Sequence, residues 1–89
     1  MYTVELKPAA QRFIAAQPKK IQRQLIEQIE ALAHNPRPAN SKLLHTTKEK
    51  LYRVRSGNYR IIYQILDRKL LVIVVKVGDR KDIYKHLGY

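Results

Sequence analysis

The chain has 89 residues, which is one domain's worth, and a domain of that size buries only about 60–65% of the surface its unfolded form exposes. Hydrophobic residues at 45% exclude a disordered tail, and the lack of cysteine excludes both a disulfide framework and a thiolate metal site. The net charge of +11 is spread evenly, with nine basic and four acidic residues over 1–50 and nine and three over 51–89, so a folded surface attractive to polyanions is expected, nucleic acid first among them.

Tyr2, Val4 and Leu6 alternate with Thr3 and Glu5, the period of a half-buried strand. No basic cluster followed by an apolar stretch opens the chain, so a cytoplasmic location is expected. Pro8 suits a first helical position, and Ala9, Ala10, Phe13 and Ile14 continue at helical spacing to Gln17. Pro18 opens a second helix whose Ile21, Leu25, Ile29 and Leu32 form an apolar stripe widened by Ile26 and Ala33. His34-Asn35-Pro36 ends it, giving a helical hairpin. Residues 35–50, with Leu43 and Leu44 as their only large apolar side chains, read as a mobile loop pinned at its middle.

Three strands follow, over 51–55, 59–66 and 70–77, joined by Ser56-Gly57-Asn58 and Asp67-Arg68-Lys69. Connections this short force antiparallel neighbours. The last strand is apolar on both faces over Leu70–Val75, which places it inside the sheet; at six residues it is far short of the roughly 20 that span a membrane. The expected fold is α+β: an N-terminal strand, a helical hairpin, then a three-strand antiparallel meander, with the helices on one face of a mostly antiparallel sheet and 1–89 forming a single domain.

Chemistry concentrates in the last forty residues. Alternation in Leu51-Tyr52-Arg53-Val54-Arg55 sends Tyr52 and Val54 to one face and Arg53 and Arg55 to the other, and the tight turn brings Arg60 across from that pair. Three like charges repel unless a partner neutralises them, and the nearest carboxylates in sequence are Glu49 and Asp67. A solvated charged face is one explanation; a phosphate-binding groove is the other. Gly78 turns the chain, and Arg80 and Tyr84, four apart, share a face if one helical turn follows. An arginine fork for phosphate beside a phenol on which a base could stack points to RNA. His34, His45 and His86 lack metal-ligand spacing, and the chain carries no glycine-rich phosphate loop and no nucleophile elbow.

These segments, namely Leu51-Tyr52-Arg53-Val54-Arg55, Gly57-Asn58-Tyr59-Arg60-Ile61-Ile62-Tyr63 and Val77-Gly78-Asp79-Arg80-Lys81-Asp82-Ile83-Tyr84, resemble the RelE branch of the RelE/ParE toxin superfamily over nearly the whole chain. The resemblance implies the toxin of a type II toxin-antitoxin system: an endoribonuclease that uses no metal or other cofactor and cuts messenger RNA in the ribosomal A site. It also implies a partly acidic, RelB-like antitoxin as partner. The cut is attack of a ribose 2′-hydroxyl on its own 3′-phosphate. By position, Arg60, Arg80 and Tyr84 would be catalytic, Arg53, Arg55, Lys76 and Lys81 would bind substrate, and His86 is a candidate for proton transfer. Some relatives carry lysine where this chain has Arg53 and Arg55, and arginine cannot shed its proton, which leaves the general base open. Asp79 departs from the basic or histidine residue common before that arginine, and a role in holding Arg80 or Arg60 is one expectation for it. Two other readings remain: a ParE-like DNA gyrase poison, and a non-catalytic basic module that binds RNA or the ribosome.

Overall fold

A computed structural model describes residues 1–44 and 50–79. In chain order its elements are β1 (Thr3–Leu6), α1 (Pro8–Ala15), α2 (Lys19–His34), β2 (Lys42–Leu44), β3 (Leu51–Ser56), β4 (Tyr59–Leu66), a 3-10 turn (Asp67–Lys69) and β5 (Leu71–Asp79). All five strands join one sheet in the order β1-β5-β4-β3-β2. β1 runs parallel to β5 and every other pairing is antiparallel, so the expected meander is present and β5 lies in the interior. A tie at each end fixes β1: Tyr2 donates its backbone N–H to Ala33 O at the end of α2 (2.8 Å), and Lys7 donates to Val74 O on β5 (2.9 Å).

The two helices cover one face. Ala10 and Ile14 of α1 and Leu25, Ile29 and Leu32 of α2 pack on Val54, Ile61, Tyr63, Val72, Val74 and Val77 from three strands. Both helices begin beside proline with no side-chain cap, so packing of the apolar stripe rather than capping holds them. Their corner is closed by Gln22, whose Nε2 donates to Gln17 O (2.9 Å) and Ala15 O (3.2 Å) just past α1. α2 stops at His34; Asn35 is extended, as the residue before Pro36 must be.

Residues 35–50 depart from the expected mobile loop. Lys42–Leu44 forms an edge strand paired to β3, with Lys42 opposite Arg53 and Leu44 opposite Leu51. The segment before it is tied down too. Pro36 is buried and its carbonyl accepts from Tyr63 Oη (2.7 Å), while Arg37 forms a bidentate pair with Asp67 (Nη1–Oδ1 3.2 Å, Nη2–Oδ2 2.8 Å). Tyr2 Oη donates to the same carboxylate (2.6 Å), and the Arg37 guanidinium lies 5.5 Å over the Tyr52 ring, which stacks on Tyr63. The bonds from Arg37 and Tyr2 hold the Asp67 carboxyl down to about 2, and the bonds that Arg37 makes to Asp67 and Tyr52 push its guanidinium upward. Residues 45–49 and 80–89 lie outside the described residues.

The β3–β4 hairpin closes through Gly57-Asn58. Gly57 has φ +61° and Asn58 does not share a positive φ, the pattern of a type II′ turn with glycine first. A Cβ at Gly57 would also run into the Gln24 side chain, whose Nε2 donates to Ser56 Oγ (3.4 Å) and ties α2 to the hairpin.

Candidate nucleic-acid interface

With the helices on one side, the other face of the sheet carries the cations. Tyr52, Val54, Tyr59, Ile61 and Tyr63 belong to the helix side, where Tyr59 meets Phe13 edge-on and Tyr59 Oη donates to Gln17 Oε1 (3.4 Å). Period-two alternation then sends Arg53, Arg55, Arg60 and Ile62 to the opposite face. The register aligns them in two rows across the strands. One row is Arg55–Arg60–Gly78; the next is Lys42–Arg53–Ile62–Lys76. Five cations from four adjacent strands therefore share a surface two residues deep.

The hairpin arginines differ in environment. Arg55 is exposed, Arg53 half-buried, and Arg60 only 6% exposed, one of two buried polar side chains among the described residues. Arg60 and Arg55 are direct Cα partners and Arg53, opposite Ile62, is diagonal to Arg60, so the three arginines share one face in the register. Holding a guanidinium within the fold fixes its direction and strengthens its field where water is thinned. A cleft of about 30 Å³ at the turn end, lined by Arg55, Gly57, Asn58, Tyr59 and Arg60, has room for roughly one water and not for a nucleotide. These residues thus offer a flat cationic surface, suited to a polymer backbone.

Lys76 reaches this face through a break in β5. Val72 and Val74 point to the helix side, so unbroken alternation would send residue 76 there as well. Instead the register jumps: Ile62 pairs with Lys76 and Tyr63 with Val74, leaving Val75 as the extra residue of a β-bulge. Val77 takes the helix-side place at 2% exposure, and Lys76 turns outward with Ile62. Beneath the second cation row, Leu51 and Ile62 pack with Leu44 and Val75 in a small apolar cluster. Partial burial lowers the Lys76 ammonium from its ordinary value. Asp79 stands opposite Tyr59, on the helix-side set of the alternation, whereas Arg60 faces the other way opposite Gly78.

Of the residues singled out from the sequence, Arg53, Arg55, Arg60 and Lys76 share this face. Arg80, Lys81, Tyr84 and His86 lie outside the described residues, as does His45. Lys42 was not anticipated, because the strand that aims it was read as loop; the Leu43-Leu44 pair was the only signal of that strand.

Comparison with known proteins gives a consistent result. A family model described as "ParE toxin of type II toxin-antitoxin system, parDE" matches residues 4–84. The mRNA interferase toxin RelE of Escherichia coli K12 is 30% identical over 66 residues, covering 72% of this chain and 70% of that protein. Among solved structures, the archaeal RelE–RelB complex of Pyrococcus horikoshii is 26% identical with a TM-score of 0.79, covering 91% of this chain and 97% of that one. The RelBE2 toxin–antitoxin complex of Mycobacterium tuberculosis is 28% identical with a TM-score of 0.78, covering 89% and 98%.

Proposed function

The chain belongs to the ParE toxin family of type II toxin-antitoxin systems and is a RelE-type toxin; from that footing we propose that it is an mRNA interferase, which cuts messenger RNA in the ribosomal A site and so stops translation. The observation that carries the reading is the cationic surface centred on Arg60, a guanidinium held within the fold and flanked by Arg55 and Arg53 in register. Like charges directly opposite one another in a sheet cost about 0.2–1 kcal/mol, a cost that a bound phosphate removes.

In the proposed reaction the ribose 2′-oxygen attacks the adjacent phosphorus in line with the leaving 5′-oxygen, forming a 2′,3′-cyclic phosphate and a 5′-hydroxyl, with no metal in the step. Negative charge grows on the non-bridging oxygens, and a preorganised guanidinium stabilises it more than it stabilises the ground state. Arg60 is assigned that part together with Arg80. Arg53, Arg55 and Lys81 hold the flanking phosphates, and Tyr84 stacks on a base so that the backbone stays in attacking geometry. The partner that restrains the protein is proposed to be a RelB-like, partly acidic antitoxin, since several of its structural neighbours are RelE-type toxins solved in toxin–antitoxin complexes. A chain of charge +11 suits such a partner.

The test adds purified protein to a translation extract and maps message ends. Cleavage within A-site codons is expected, reduced about 100-fold or more by Arg60→Ala and by Arg80→Ala. Intact message with protein synthesis continuing would overturn the proposal. Intact message with inhibited DNA supercoiling would transfer the chain to the gyrase-poison reading, and intact message with stalled synthesis to the non-catalytic ribosome-binding one.

A further inference from the structure

Arg53, Arg55 and Arg60 share the cationic face, and none of them can serve as a base at any accessible pH. On the same face stands one partly buried amine that can. We propose that Lys76 is the proton acceptor of the cleavage step, taking the proton from the attacking ribose 2′-hydroxyl; this rests on the interferase reading and assigns it a base.

Alternation along β5 would have buried Lys76 among Val74, Ile61 and Leu25 on the helix side, and the bulge at Val75 reverses it. Bulges re-aim single side chains and are enriched beside active sites. Here the re-aimed residue lands beside Ile62 and diagonal to Arg60, a relation that places Cβ atoms about 7–8 Å apart. Side chains that long converge on a single phosphodiester from two strands. Arg60 can then meet the phosphate oxygens while Lys76 meets the neighbouring 2′-oxygen.

The surroundings favour the neutral amine. From β3 and β4, Arg53 and Arg60 present permanent cations to the same face, with Arg55 beyond them and Lys42 of β2 beside Arg53. The acidic groups nearest along the strands are Glu5, on β1 opposite Ile73 and three residues down β5 from Lys76, and Asp79, on the helix-side set opposite Tyr59. Among the described residues the Lys76 side chain makes no hydrogen bond or ion pair, in contrast to Arg53, Arg60 and Asp79, each of which is engaged. Its register partner Ile62 and its chain neighbour Val75 belong to the apolar cluster with Leu51 and Leu44. Burial lowers the Lys76 ammonium from its ordinary value, and neighbouring like charges disfavour an ammonium as well. Once the amine has taken the proton, the new ammonium lies beside a phosphorane that gains negative charge, so the surroundings that deprotonate it at rest stabilise it during the step.

The balance is complete. The 2′-O–H bond breaks and its proton moves to Lys76 Nζ; the 2′-oxygen bonds to phosphorus; the P–O5′ bond breaks, and the leaving oxygen takes a proton from water. Lys76 returns its proton to solvent. No oxidant, reductant or metal enters.

The experiment compares wild type, Lys76→Arg and Lys76→Met on ribosomes programmed with a defined message, under single-turnover conditions from pH 6 to 9. Arginine keeps the charge and cannot act as the base. Lys76→Arg is expected to bind a message carrying a 2′-deoxynucleotide at the cut within about threefold of wild type, yet to cleave the ribose message at least about 100-fold more slowly. Wild type is expected to cleave faster as pH rises, and Lys76→Arg is expected to lose that rise. Lys76→Met should lose the rate and some binding. Should either variant fail to fold, nitrogen-detected titration of the wild-type lysines answers instead: one Nζ resonance, assigned to Lys76, is expected to titrate below the others, and titration with the others overturns the proposal. Cleavage by Lys76→Arg within threefold of wild type, with an unchanged pH slope, overturns the Lys76 assignment alone. Absence of cleavage by wild type overturns the interferase reading and Lys76's part with it.

Discussion

The two faces of the sheet use the same strands for opposite ends. On the helix side, Val54, Ile61, Tyr63, Val72, Val74 and Val77 are sealed by five helix residues, and every large side chain there has an apolar neighbour. On the other side, Ile62 and Leu51 make a two-residue core with Leu44 and Val75 at its border, surrounded by Lys42, Arg53, Arg60 and Lys76. The first face is where the chain gains its stability. The second gathers five cations in register, one of them a guanidinium held within the fold. The cation rows keep their register because the reverse of the same strands is packed against the helices.

Substitutions at two adjacent isoleucines test that division most severely. Ile61 and Ile62 are equally inaccessible, but Ile61 belongs to the main core and Ile62 to the small cluster. Ile61→Ala is expected to cost about 3–4 kcal/mol, because helix, sheet and neighbouring valines cannot collapse into the gap. Ile62→Ala should cost about 2 kcal/mol, since its smaller surroundings can relax. Urea unfolding of both variants gives the comparison. Equal costs would mean that the open face is as much a core as the covered one.

Much of this division was legible beforehand. Strict alternation through Leu51–Arg55 and Tyr59–Leu66 assigned both faces of the hairpin, and proline marked both helix starts, because each is a local property of the chain. Partners across long separations were not legible. Nothing in Arg37 announces that it will meet Asp67, and nothing in Thr3–Leu6 says that it pairs parallel to β5. β2 escaped because three residues among proline, asparagine and serine carry too short a period. The bulge was hidden by apolar residues on both sides of β5, where register slips leave little trace. Its one clue was Lys76 itself, a charge at a position that simple alternation would have buried. For the site, the face of Arg53, Arg55 and Arg60 was readable; the deep burial of Arg60 was not.

Alkaline pH separates the faces next. Burial pushes the Tyr63 phenol up to about 12, and its hydroxyl donates to Pro36 O. A group with a raised folded pKa contributes stability that is complete below its unfolded value near 10, and the contribution is lost as pH rises through about 12. The protein should therefore lose roughly 2 kcal/mol across that window. Tyr63→Phe should cost about 1 kcal/mol at neutral pH, since the Pro36 carbonyl loses its donor, and should flatten the alkaline fall. Thermal unfolding followed between pH 8 and 11.5 measures both. A fall as steep in the Phe variant would place its origin in other groups.

The smallest expected effect on stability lies on the open face, and it is the one that best divides folding from function. Arg55 is exposed and stands directly opposite Arg60, so Arg55→Ala removes a repulsion and little packing. Its unfolding free energy should stay within about 0.5 kcal/mol of wild type, with any change toward greater stability. Binding to a single-stranded RNA oligonucleotide should nonetheless weaken, and the slope of log affinity against log salt should become shallower by about 0.7, the counterion share of one phosphate contact on a single strand. Both quantities come from one titration series at four salt concentrations with a parallel melt. A variant that lost stability while keeping its salt slope would make Arg55 a structural residue of the hairpin, and the cation surface would shrink to the part centred on Arg60 and Lys76. A variant with an unchanged melt and a shallower slope would show that this face carries charge for its ligand and not for its fold.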